Sequence, residues 1–149
     1  MRYTQGTLGR VFVARLEDGE SVYDAVHQIA EREGITAAAV IAVGGIRSGR
    51  VVTGPEDPAD ISVVHVESFD DARELAGVGT VFLADGKPSL HFHAAIGRGD
   101  TALAGCPREG MATYLILEVV IVELLGVSAQ RMMDPESGLR LLRVLDPEV

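Results

Sequence analysis

The stretch from Thr113 to Leu125 constrains the fold more than any other feature of the chain. It is a nearly continuous apolar run interrupted by Glu118 and Glu123 and closed by Gly126. It falls short of the ~18 residues needed to cross a bilayer as a helix, so it reads as a long strand, and a strand of that length needs a sheet around it. Side chains alternate faces along a strand, which puts Glu118 beside Ile116, Val120 and Val122. A carboxylate inside such a run is costly without a partner. Glu118 therefore calls for an arginine, a neighbouring subunit or the N–H of a metal-bound histidine, or else it is a catalytic carboxylate.

The rest of the chain supplies the sheet and one clear helix. Gly9 to Leu16 reads as a strand. Ser21 with Asp24 three residues on resembles a capping box, and Val22, Ala25, Val26, Ile29 and Ala30 recur at helical spacing, with Gly34 placed to end the helix near Glu33. His27 falls one position past this apolar stripe, as a surface or boundary residue would. Ala37 to Val43 reads as a strand buried on both faces and ended by a sharp turn at Gly44-Gly45. A short strand over Arg50 to Thr53 leads into a loop, Gly54-Pro55-Glu56-Asp57-Pro58, and Ile61 to Glu67 alternates as a strand carrying a partly exposed His65. Val81-Phe82-Leu83 and Ser89 to Ile96 flank Asp85-Gly86, a strong hairpin signal. Thr101 to Leu103 and the tight Gly105-Cys106-Pro107 follow. Ala129 to Met133 is expected to pair with Leu139 to Val144 across Asp134-Pro135-Glu136-Ser137-Gly138. The expected architecture is one α/β domain, α+β in detail, over residues 1–149, with no nucleotide-binding glycine motif.

Composition narrows the function classes. Hydrophobic residues reach 47% while aromatics are only 5%, so the core must be mostly aliphatic, and a mean hydropathy of +0.21 suggests that a partner subunit covers part of the surface. A homo-oligomer is expected. The lone Cys106 forms no internal disulfide, and the N-terminus lacks the apolar stretch of a signal peptide, so the cytoplasm is the expected compartment, without a membrane anchor. A formal charge of −9, with no Lys/Arg-rich run, opposes nonspecific binding to phosphate polyanions.

The concentrated chemistry lies in Ser89 to Ile96. Leu90, Phe92, Ala94 and Ile96 share one strand face, and His91 and His93 share the other. Same-face neighbours stand ~6.6 Å apart at the backbone, from which two imidazoles can lean onto one metal ion at ~2.0–2.1 Å. Two polar residues on a wet strand face would give the same pattern. Cys106, thirteen residues after His93, is close enough for a hairpin to return its thiol to the pair, and two imidazoles with one thiolate suit tetrahedral zinc. The alternative for Cys106 is a small buried residue in a tight turn.

The order Gly9-Arg10-Val11-Phe12-Val13, a capped helix, Val43-Gly44-Gly45, Glu74-Leu75, Leu90-His91-Phe92-His93, Gly105-Cys106, Leu117-Glu118-Val119-Val120-Ile121 and Asp134-Pro135-Glu136-Ser137-Gly138-Leu139 resembles the PPC domain, conserved in plants and prokaryotes. The resemblance covers nearly the whole chain. It implies a central, mainly antiparallel, barrel-like sheet flanked by one or two helices and assembled as a homotrimer. Members usually follow the H-x-H strand with Gly-Gly-His, similar to the zinc site of acetolactate decarboxylase; here Cys106 replaces the third histidine. Stand-alone prokaryotic members are generally labelled as DNA-binding, but this chain has no Arg-Gly-Arg-Pro AT-hook core.

Three functions follow as expectations. The first is a trimeric, zinc-type metal-binding domain with an assembly or regulatory role, ligated by His91, His93 and Cys106. The second is a metal-dependent lyase or decarboxylase acting on a small keto or hydroxy acid, helped by Glu118, Arg98 or Arg108. The third is direct DNA binding, which the charge opposes.

Overall fold

Period-two alternation and β-branched residues recur along most of the chain, and strand is what most of it forms. A computed structural model describes residues 1–108 and 110–145. The elements run β1 (Thr7–Glu17), α1 (Val22–Glu33), β2 (Ala37–Asp57), β3 (Asp60–Phe69), β4 (Arg73–Ala84), β5 (Lys87–Arg98), β6 (Thr101–Pro107), β7 (Ala112–Leu125), β8 (Ala129–Met133) and β9 (Arg140–Val144). The nine strands form one sheet, antiparallel except where β8 joins β4.

Helix α1 follows its sequence signals. The Ser21 side chain accepts the Asp24 N–H at 3.4 Å, and Gly34 closes the helix in the left-handed conformation. Val22, Tyr23, Val26 and Ala30 form its buried stripe and pack with Leu90, Phe92, Leu117, Val119 and Ile121 in the single aliphatic core. Each large aliphatic side chain removed from water there contributes roughly 1.5–3 kcal/mol.

The strand boundaries differ from expectation in four places, one of them being Gly105-Cys106-Pro107, which is not a tight turn but the end of β6, paired with β5 and β2. Gly44-Gly45 does not end its strand. β2 continues through both glycines to Asp57, which also absorbs the expected loop up to that residue and leaves the turn at Pro58-Ala59. Gly44 has φ 145°, and a Cβ there would meet the Ile116 carbonyl oxygen at 2.5 Å, so the glycines let β2 bend while staying against β7. The register of β2 against β7 shifts between Gly44 and Ile46, as a bulge does. The third difference is β4, which starts at Arg73 rather than Val81; Gly77 and Gly79 in it masked the alternation.

The bend gives β2 different neighbours along its length. It pairs with β4 over Ala37 to Ile46 and with β6 at Val51 and Val52, so β2, β4, β5 and β6 make a closed circuit. Strands β1, β3, β7, β8 and β9 lie outside it, so the sheet, expected to be barrel-like, is not a clear barrel. One helix flanks it among the described residues, within the one or two expected.

Glu118 corrects a second expectation. The alternation along β7 is as read, but the buried face is the other one: Leu117, Val119, Ile121 and Glu123 are inside, and Glu118 is exposed. Among the described residues Glu118 makes no hydrogen bond or ion pair, and in water it needs none. Glu123 is the buried carboxylate, and Arg10 meets it with Nε at 2.8 Å and a second nitrogen at 2.9 Å. Both faces of this strand are apolar, so alternation could not say which one α1 would cover.

Candidate functional site

Strand β5 alternates as its sequence dictates, with Leu90, Phe92, Ala94 and Ile96 buried and His91 and His93 exposed. The two imidazoles converge: their Nε2 atoms stand 3.1 Å apart and their rings are perpendicular. Tetrahedral zinc with two Zn–N bonds of ~2.05 Å holds its nitrogens about 3.3 Å apart, so this spacing is close to that of a shared ion. Strand β6 runs back antiparallel with Gly105 opposite Ala94, which carries Cys106 on toward His93. The ligand atoms of His91, His93 and Cys106 all lie within 4.8 Å of one another. The sequence-predicted trio is thus brought together, and its donors are of the kind that suit one borderline-soft cation.

Two contacts from α1 hold this arrangement, and neither was visible in the sequence. The Tyr23 hydroxyl donates to the Pro107 carbonyl at 2.6 Å in a buried position, fixing the residue after Cys106. The Leu90 N–H donates to His27 Nε2 at 3.2 Å, fixing the residue before His91. His27 is thus a boundary residue, as expected, with a supporting role. His65 lies elsewhere, exposed between Glu67 and Glu56, which raise its pKa.

The surroundings of the trio are positive. Partial desolvation by the groups packed around its ring, then the charges of Arg131, His93 and Arg108, lower the pKa of His91 from its ordinary value. That direction favours the neutral ring that ligation requires. A cleft of about 440 Å³ beside the trio is lined by Arg108, Arg131 and Arg140, and a second of about 580 Å³ by Arg50 and Arg108. Of the helper residues proposed from sequence, Arg108 therefore borders the site. Arg98 does not: it pairs with Asp71 at 2.6 Å, and Glu118 lines neither cleft. Arg131 was missed because nothing in Ala129 to Met133 distinguishes it from any strand arginine.

The trio also sits at the edge of an exposed aliphatic surface. Strand registers place Val13, Val120, Ile41, Val78 and His93 in one continuous cross-strand row. Val13 is 77% exposed, Val78 64% and Ile41 50%. Val11, Val122, Ala39, Thr80 and His91 form the adjacent row. No described helix is long and apolar enough to cross a membrane.

A mainly antiparallel sheet with one helix on its inner face and an H-x-H strand meeting a cysteine on the outer face defines a small α+β domain with a candidate metal centre. The model of the Plants and Prokaryotes Conserved domain matches residues 3–125, and the chain belongs to that family. Its fold is similar to that of a metal-containing protein from Archaeoglobus fulgidus, with a TM-score of 0.83 and 25% identity over 95% of this chain and 98% of that one. It is also similar to a plant- and prokaryote-conserved protein from Pyrococcus horikoshii, with a TM-score of 0.84 and 24% identity over 98% and 99% of the two chains. A protein from Bacteroides thetaiotaomicron, provisionally named as DNA-binding, matches with a TM-score of 0.77 and 18% identity over 93% and 97%. No curated protein matches in sequence.

Proposed function

We propose that this chain is a zinc-binding domain ligated by His91, His93 and Cys106, which assembles as a homotrimer and serves an assembly or regulatory role. The convergence of two imidazole nitrogens and one sulfur within 4.8 Å carries the reading. Such a set binds as neutral imidazole and thiolate, leaves a fourth position for water or a ligand, and suits the reducing cytoplasm, where a lone thiol stays free. The similar archaeal protein described as metal-containing supports it. Self-association is supported by the exposed valine and isoleucine rows ending at the histidines, because an aliphatic surface of this kind is unusual on a solitary soluble chain. The test is metal analysis of protein purified without chelators, with solution mass measured on the same sample. About one zinc-type ion per chain, lost in His93→Ala and Cys106→Ala, is expected. Wild-type protein that neither carries nor takes up zinc ends this reading.

A second reading, a lyase or decarboxylase acting on a small keto or hydroxy acid, is favoured by the arginine-lined clefts that open beside the trio. A bound ion would supply polarisation of a carbonyl or of water, and Arg108 would hold the acid group. Turnover by zinc-loaded protein across a panel of such acids tests it, and none is the result that retires it. Direct DNA binding, suggested by the names of similar structures, is the third reading. The charge of −9 opposes it.

A further inference from the structure

We propose that the cleft beside the trio binds a small organic carboxylate, whose oxygens are taken by Arg131. The inference deepens the metal reading, since it names what would occupy the space next to the ion, but its anchor is separate from the ligands.

Arg131 is 7% exposed. One of its terminal nitrogens donates to the Thr80 carbonyl at 3.2 Å and to the Thr80 hydroxyl at 2.9 Å. Its Nε is buried and has no hydrogen-bond partner among the described residues. No described carboxylate pairs with it; of the other arginines lining the cleft, Arg140 holds Asp85 at 2.6 Å and Arg108 is exposed to water. A guanidinium stays charged in a protein, and burying one without a counter-charge is costly. Arg131 lines the cleft, so an anion bound there supplies the missing counter-charge.

The lining of the cleft agrees. Arg108, Arg131 and Arg140 contribute to its wall, and no aspartate or glutamate does. In a chain with 22 acidic and 13 basic residues, this is a local reversal of sign. The adjoining lining is apolar, formed by Leu139, Leu141 and Leu142, each about half exposed, with Leu142 paired to Arg131 between β8 and β9. An inorganic oxyanion would leave those leucines in water. A carboxylate with a short aliphatic substituent covers them and places its oxygens beside the Arg131 guanidinium, whose charge strengthens any hydrogen bond it donates. His91, His93 and Cys106 border the same cleft, so a bound ion could share the ligand's oxygens.

The experiment titrates the full chain, zinc-loaded and metal-free, with hexanoate, hexanamide and inorganic phosphate, using calorimetry and the side-chain ¹⁵N signal of Arg131. Hexanoate should bind saturably and move that signal, with hexanamide about tenfold weaker or worse, because it lacks the charge, and phosphate weaker than hexanoate. Arg131→Met should lose about tenfold or more in hexanoate affinity while keeping its zinc. If that variant does not fold, the wild-type signal decides. An unmoved Arg131 signal, unchanged affinity in Arg131→Met, or tighter binding of phosphate than of hexanoate overturns the proposal. Zinc uptake without any response to hexanoate removes this inference and leaves the metal reading. A hexanoate response in protein that takes up no zinc does the reverse.

Discussion

Gly105→Ala tests the placement of the cysteine without touching a ligand. A Cβ at Gly105 would stand 2.3 Å from the Val52 carbonyl oxygen and 2.8 Å from Val51 Cγ1. Ordinary contacts of this kind are ~3.3 Å, so strands β2 and β6 must part by about 1 Å. They meet through only two residue pairs, Val51 with Pro107 and Val52 with Cys106, whereas β6 holds β5 through five. The shorter ladder should yield, and the Cys106 pair is part of it. Metal sites tolerate about ±0.2 Å in ligand distance, so a displacement of this size should lower zinc affinity by about 10–100-fold, or roughly 1.4–2.8 kcal/mol. The overpacking itself should cost about 1–3 kcal/mol of stability in metal-free protein. Competition against a chromophoric chelator reads the affinity, and thermal melts with and without chelator read the stability. Gly97→Ala is the control, because its nearest contact would be an ordinary 3.6 Å from the Thr101 carbonyl oxygen. Wild-type zinc affinity in a folded Gly105→Ala protein would refute the reasoning, since it would mean that the β2–β6 contact does not position the sulfur.

Three further outcomes are expected. Arg10 holds the Glu123 carboxyl at about 2, below its ordinary 4.5; a depressed folded pKa stabilises above the ordinary value and is lost as pH falls toward the folded one. Between pH 4.5 and 2 the wild-type melting temperature should therefore fall more steeply than that of Glu123→Gln, and parallel curves would contradict the pairing. Val13→Glu combined with Val78→Glu should reduce the solution mass to that of one chain, as charges enter the aliphatic rows; an unchanged mass by light scattering would move the interface elsewhere. Duplex DNA titrated at low ionic strength should show no binding to the zinc-loaded chain, because the net field is repulsive and even nonspecific binders associate strongly there; a salt-dependent isotherm would restore that function.

Much of this site was legible in β5, because alternation is a local property of extended backbone. Phe92 could face the core only if His91 and His93 faced away from it. The return of Cys106 was readable as a distance along the chain, but its arrival depends on the bend of β2 at Gly44-Gly45, which the sequence suggested as a turn. Glu118 and Glu123 show where local reading ends: both lie in one apolar run, and only packing under α1 decides which is buried.

Taken alone, the amino-acid order determined the helix with its caps, the hairpin at Asp85-Gly86, the two-faced histidine strand and the aliphatic character of the core, all of which follow from neighbours a few residues apart. Tertiary structure decided that β2 would run unbroken through its glycines, that Glu123 and not Glu118 would need Arg10, and that Arg131 would lie buried beside the trio without a counter-charge. Those depend on contacts between residues far apart in the chain, and no periodicity records which of two apolar faces the rest of the molecule will cover.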